Sequence, residues 1–223
     1  PSSFQYAAVQ WGIWRAGGIA VPLCEKHPVS SIKYVLDDTQ ASTVIYSEVF
    51  EELLSPLFKN TNVRYVTYKS IPKVDCNLPT ISIKRRALIL YTSGTTGLPK
   101  GVVTTHANIE AQITALTNSW EWNKDDHVLN VLPLHHIHGI VNMLCCALWS
   151  GACCEFLPKF DSKIIFEKFF GSLLLIILLN SSFLSSNVSG WQMRCFKVRT
   201  EVLMSSWNYE RIANYLNIST SSG

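Results

Sequence analysis

Between residues 19 and 170, short apolar runs rich in β-branched side chains alternate with stretches whose apolar residues recur at helical spacing. This alternation limits the fold more than any other feature. A strand, a helix and a second strand close into a right-handed βαβ unit whose two strands run parallel. Strands are expected at 19–23 (IAVPL), 42–47, 63–68, 87–92 (ALILYT), 101–106, 127–132 and 152–157. A first helix starts near Phe4, with Ala7, Ala8, Trp11 and Trp14 on one face, and Gly17-Gly18 stops it. A second follows Pro28 over 28–38, with Ile32, Val35 and Leu36 as its apolar stripe. Further helices are expected at 49–58, 106–119 and 139–149, and from an Asp161 cap to about residue 170. The fold class is α/β, a mainly parallel sheet with flanking helices.

After residue 171 the pattern weakens. The run LLLIILL (173–179) reads as one more strand, because seven residues are far short of the roughly 20 that a helix needs to cross a bilayer. NSSFLSSNVSG reads as loop, and a helix at 201–216 has irregular spacing.

Composition excludes several classes. With 48% hydrophobic and 16% charged residues the chain is globular, not disordered. A net charge of +3 without a Lys/Arg block argues against a dedicated nucleic-acid binder. Seven cysteines contain no C-x-x-C pair, so neither a zinc ribbon nor a thioredoxin motif is supported. Their odd number points to a reducing compartment. The chain opens at Pro1 without a basic leader, so a targeting peptide is not expected within it.

The chemistry concentrates in Tyr91-Thr-Ser-Gly-Thr-Thr-Gly-Leu-Pro-Lys-Gly101, between two expected strands. Thr92, Ser93, Thr95 and Thr96 supply hydroxyl donors that rotate to suit phosphate oxygens. Gly94 and Gly97 let the backbone turn tightly and approach a ligand, and successive N–H groups then form an anion-binding nest. Lys100 adds a positive charge. The spacing is not that of Walker A, which puts its lysine after a glycine and leads into a helix. A plain Gly/Thr turn with a solvated lysine is the bland alternative.

A second cluster is Leu132-Pro-Leu-His135-His136-Ile-His138-Gly139. No carboxylate or cysteine ligand follows at metal-site spacing, so no metal is assigned. A structural role remains open for each histidine. A polar ring in an acyl pocket suits a short or charged acid better than a fatty chain, because a buried polar group needs a partner.

The strings ILYTSGTTGLPKGVVTTHANI, WEWNKDDHVLNVLPLHHIHGIVN and GGIAVPLCEKHP together resemble the adenylate-forming (AMP-binding) acyl-CoA synthetases, in particular their malonyl-CoA synthetase branch. The resemblance runs over about 4–170. It implies a partial N-terminal adenylation domain at 1–170 and a divergent tail at 171–223. It implies an ATP-dependent acid–CoA ligase that takes malonate or methylmalonate through an acyl-adenylate to the CoA thioester, with ATP, Mg²⁺ and CoA as cofactors or co-substrates. By position, Thr92, Ser93, Gly94, Thr95, Thr96, Gly97 and Lys100 are the phosphate-loop residues. His136 is the catalytic histidine near the acyl carboxylate, and His135, His136 and His138 line the substrate. The implied partner is a small carboxylate, with no nucleic acid, membrane span or protein partner. The implied location is the mitochondrial matrix, with the cytoplasm as alternative. The family's later Tyr-Gly-x-Thr-Glu and Thr-Gly-Asp strings do not occur here. The alternative expectation is therefore a catalytically inert fragment; a P-loop NTPase is a third, disfavoured by the loop spacing.

Overall fold

The computed structural model describes residues 1–71, 77–93, 97–157, 160, 161, 163–165 and 168. They form two compact units, one over Ser3–His106 and one that begins at Ala107.

In the first unit, helix α1 (Phe4–Arg15) is capped by the Ser3 side chain, which accepts from the Tyr6 amide at 3.3 Å. It ends where Gly17 takes φ +78°, and the Gly18 amide returns to the Ile13 carbonyl at 2.8 Å. Helix α2 (Val29–Thr39) turns Ile32 and Leu36 into a core cluster with Val44, Leu54, Leu57 and Val63. Strand β1 (Thr43–Tyr46) pairs in parallel with β2 (Arg64–Thr67). The helix expected over 49–58 is broken. Only α3 (Glu51–Leu54) is α-helical, with single 3-10 turns at Glu48–Phe50 and Ser55–Leu57. Pro56 has no N–H to continue the α-helical ladder. The strand expected at 19–23 shrinks to one bridge, in which the Ala20 amide donates to the Ala87 carbonyl and the Ile89 amide donates back. Pro22 again cannot donate where the next rung would fall.

Strands β3 (Arg86–Thr92) and β4 (Lys100–Thr105) form an antiparallel hairpin, with Thr92 opposite Lys100. This pair departs from the parallel expectation. A connection this short cannot carry the crossover that parallel strands require. The Trp14 indole N–H donates to the Ala87 carbonyl at 2.6 Å and fixes α1 against β3.

Helix α4 (His106–Ser119) follows β4 directly, with Ile109, Ile113 and Thr117 buried. In the second unit, β5 (His127–Asn130) pairs in parallel with β6 (Cys153–Phe156). The crossover between them is helical but not uniformly α. His138–Cys145 has π-helical hydrogen bonding and continues into α5 (Cys146–Trp149). Ile140, Val141, Met143, Cys146 and Ala147 are fully buried there, as the all-round apolar character of 139–149 requires. Asp161 caps as expected, its carboxylate accepting from the Lys163 and Ile164 amides at 2.9 and 3.1 Å. The readings for 171–223 lie outside the described residues. Among the described residues, no helix is long and apolar enough to cross a membrane.

Candidate active site

The hydroxyl- and glycine-rich loop lies between the two strands of the β3–β4 hairpin. Thr92 and Ser93 are exposed at its start and Lys100 is exposed at its end. Gly97 takes φ +112°, a conformation that side-chain-bearing residues rarely adopt. Gly94, Thr95 and Thr96 lie outside the described residues.

Both loop ends are tied to α2. The Tyr34 hydroxyl donates to the Pro99 carbonyl at 3.1 Å. The Tyr91 hydroxyl donates to the Asp38 carboxylate. The two tyrosine rings meet edge to face, with centroids 6.2 Å apart. Burial, then the hydrogen bond to Asp38, pushes the Tyr91 phenol well above its ordinary range, so it stays protonated as a donor. Gly101 makes this possible: a Cβ there would lie 3.2 Å from Cζ of Tyr91 and 2.9 Å from Ile89. Neither Tyr34 nor Asp38 was singled out from the sequence. Their i, i+4 spacing on one helix was visible, but not what lay opposite.

His135 and His136 sit on the turn that feeds the π-helical segment, and His138 is its first residue. The His135 and His136 rings are 4.3 Å apart at 52°. His135 is half-buried, whereas His136 and His138 are exposed. The His136 amide donates to the Pro133 carbonyl at 3.3 Å, and the His136 carbonyl accepts from the Ile140 amide at 3.1 Å. Gly139 packs on the turn so closely that a Cβ would stand 2.5 Å from the Pro133 carbonyl oxygen. Asn130, with no exposed surface, donates to the Gly139 carbonyl and accepts from the Leu132 amide. Lower on the same helix, Asn142 accepts from Gln112 at 2.6 Å. Asn130 is a further residue that sequence reasoning missed. Its only signal was an amide at the end of an apolar strand.

The loop residues thus belong to the first unit and the histidines to the second. A cavity of about 620 Å³ in the first unit is lined by α1, residues 17–25, α2 and β1, and no described loop residue lines it. No group of three or more His, Cys, Asp or Glu among the described residues could hold a metal ion.

The α/β framework shares its fold with part of the N-terminal domain of adenylate-forming enzymes. The solved structure of ATP-bound MatB from Rhodopseudomonas palustris superposes with a TM-score of 0.70 at 23% identity, over 78% of this chain and 37% of that one. A malonyl-CoA ligase ternary product complex with methylmalonyl-CoA and AMP bound gives 0.67 at 26%, over 78% and 37%. The chain belongs to the AMP-binding enzyme family, whose sequence model matches residues 1–171. The mitochondrial malonate–CoA ligase ACSF3 of Xenopus laevis is 44% identical over 181 residues, which is 77% of this chain and 31% of that enzyme. The chain therefore spans about a third of the length of that relative.

Proposed function

We propose that this chain carries the nucleotide-phosphate and acyl-carboxylate parts of an ATP-dependent acid–CoA ligase acting on malonate or methylmalonate. The hairpin loop between Thr92 and Lys100 carries the reading. Its two ends are held by strand pairing and by α2, with hydroxyls and a lysine exposed at its rim. Likeness to a malonate–CoA ligase supports the choice of acid, and the relative's mitochondrial name supports a mitochondrial over a cytoplasmic location. In this reading residues 1–170 are the adenylation part and 171–223 stand apart from it.

The substrate carboxylate attacks the α-phosphorus of ATP, and pyrophosphate leaves with the bonding pair. The CoA thiol, losing its proton, then attacks the acyl carbon and AMP leaves. Hydroxyl and amide donors of Thr92, Ser93, Gly94, Thr95, Thr96 and Gly97 hold the β- and γ-phosphates. Lys100 opposes the charge that grows on the leaving pyrophosphate, and each such fixed donor is worth on the order of 3 kcal/mol in the transition state. His136 donates to the acyl carboxylate, and His135 and His138 extend a polar wall toward the second carboxylate of the acid. ATP brings Mg²⁺, which neutralises phosphate charge when bound. The described residues offer no cluster to hold that ion, so no step is assigned to a protein-held metal.

Pyrophosphate release with malonate, methylmalonate and octanoate, alongside ATP titration, tests the reading. Malonate-dependent release supports it. Release no greater with malonate than with octanoate overturns the choice of acid, and no ATP binding overturns the phosphate-loop assignment.

A further inference from the structure

We infer that Tyr34 and Asp38 of α2 are positioning residues that clamp the two ends of the phosphate-binding loop. The inference deepens the ligase reading and rests on it for the identity of the ligand.

The argument is geometric. A loop that must present donors to a phosphate loses affinity if its ends wander, because ordering them is then charged to binding. Strand pairing alone sets Thr92 opposite Lys100. That fixes the two strands against each other but not against the rest of the unit. Helix α2 supplies what the ladder lacks. Its inner face is fixed in the core through Ile32 and Leu36. One turn apart on another face, Tyr34 reaches the Pro99 carbonyl immediately before Lys100, and Asp38 takes the Tyr91 hydroxyl immediately before Thr92. The two contacts therefore hold the residue just before the first candidate phosphate ligand, Thr92, and the residue just before the last, Lys100. The edge-to-face contact of Tyr34 with Tyr91 joins the two grips. Asp38 is exposed, yet it points its carboxylate at a half-buried phenol on another element. A solvated surface acid does not explain that placement.

The test uses the 223-residue chain with Tyr34→Phe, Asp38→Ala and Asp38→Asn. Asparagine keeps an oxygen to accept from Tyr91. Amide exchange at Gly97, Leu98, Lys100 and Gly101 is followed without nucleotide, with α1 amides as the control for global opening. ATP and malonate affinities are then titrated separately. We expect Tyr34→Phe and Asp38→Ala to speed exchange at the four loop amides but not in α1. Each should weaken ATP about two- to tenfold, the size of one net hydrogen bond, and leave malonate unchanged. Asp38→Asn should recover most of both losses. Wild-type exchange at the loop amides in both disruptive variants overturns the clamp. So does equal loss of ATP and malonate affinity, which would mark a global defect. If wild type binds no ATP, the phosphate reading fails by itself, while the exchange measurement still decides whether α2 holds the loop ends.

Discussion

Asn130 ties the end of β5 to the histidine turn at two points: its Nδ2 donates to the Gly139 carbonyl at 3.0 Å, and its Oδ1 accepts from the Leu132 amide at 3.1 Å. One buried side chain thus spans the turn that presents His135, His136 and His138. Truncating it leaves the buried Gly139 carbonyl and the half-buried Leu132 amide without these partners. Asn130→Ala should lose about 1–3 kcal/mol, read by urea unfolding. Asn130→Asp should do no better, because it removes the donor to Gly139. A loss below about 0.5 kcal/mol would show that water replaces both bonds.

Gly139→Ala tests the same turn by shape. The added methyl would sit 2.5 Å from the Pro133 carbonyl oxygen, which is backbone and cannot swing away. Overpacking of this kind costs about 1–3 kcal/mol. Thermal melting should fall, and the backbone signals of His135 to His138 should shift more than those of β5. An unchanged melt would mean that the turn and the π-helical segment move apart at little cost.

His106 makes the first unit sensitive to mild acid. Burial, then the positive charge of Arg85, lowers its pKa below the ordinary 6.5, and its ring stands edge-on to Trp14 at 6.0 Å. The unfolded chain therefore takes up the proton first as pH falls. The stability that the neutral ring supports is present above about pH 6.5 and declines as pH drops below it, until the folded-state pKa is passed. The difference in unfolding free energy between wild type and His106→Gln should be constant above pH 7 and should move against wild type between pH 6.5 and 5. Equal differences at pH 7.5 and 5.5 would refute this.

The helix after the histidine turn buries the Cys145 and Cys146 thiols and strand β6 half-buries Cys154, and all three should resist alkylation. Desolvation pushes Cys146 and Cys154 up to about 12 and raises Cys145 as well. Against a free thiol near 8.5, native Cys146 and Cys154 should react with iodoacetamide at pH 8 on the order of a thousandfold more slowly than in urea. Mass mapping of the labelled peptides reads the ratio. Comparable labelling in buffer and in urea would mean that this helix and β6 open readily.

The order of strands and helices was legible because periodicity is a local property. The Ile32, Val35 and Leu36 stripe of α2 and the all-round apolar 139–149 segment name their elements and inward faces without reference to the rest of the chain. The candidate phosphate loop and the histidine turn stand out for the same reason: each is a contiguous string whose chemistry is carried by side-chain type. Two local readings failed where proline decided. Pro22 reduced an expected strand to a single bridge, and Pro56 broke an expected helix.

What tertiary structure alone decided is which distant groups meet. Tyr34 lies 65 residues from Pro99, and Asp38 lies 53 from Tyr91. Nothing in the spacing of α2 selects those partners, since an exposed i, i+4 pair looks the same whether it faces water or a loop. The antiparallel pairing of β3 with β4 and the double hydrogen bond of Asn130 are likewise invisible to periodicity. The sequence by itself determined the elements and the chemical groups this protein offers. The packing of α2 and of the β5 turn decided how those groups are held, because contacts across dozens of residues are chosen by chain closure and burial, not by local pattern.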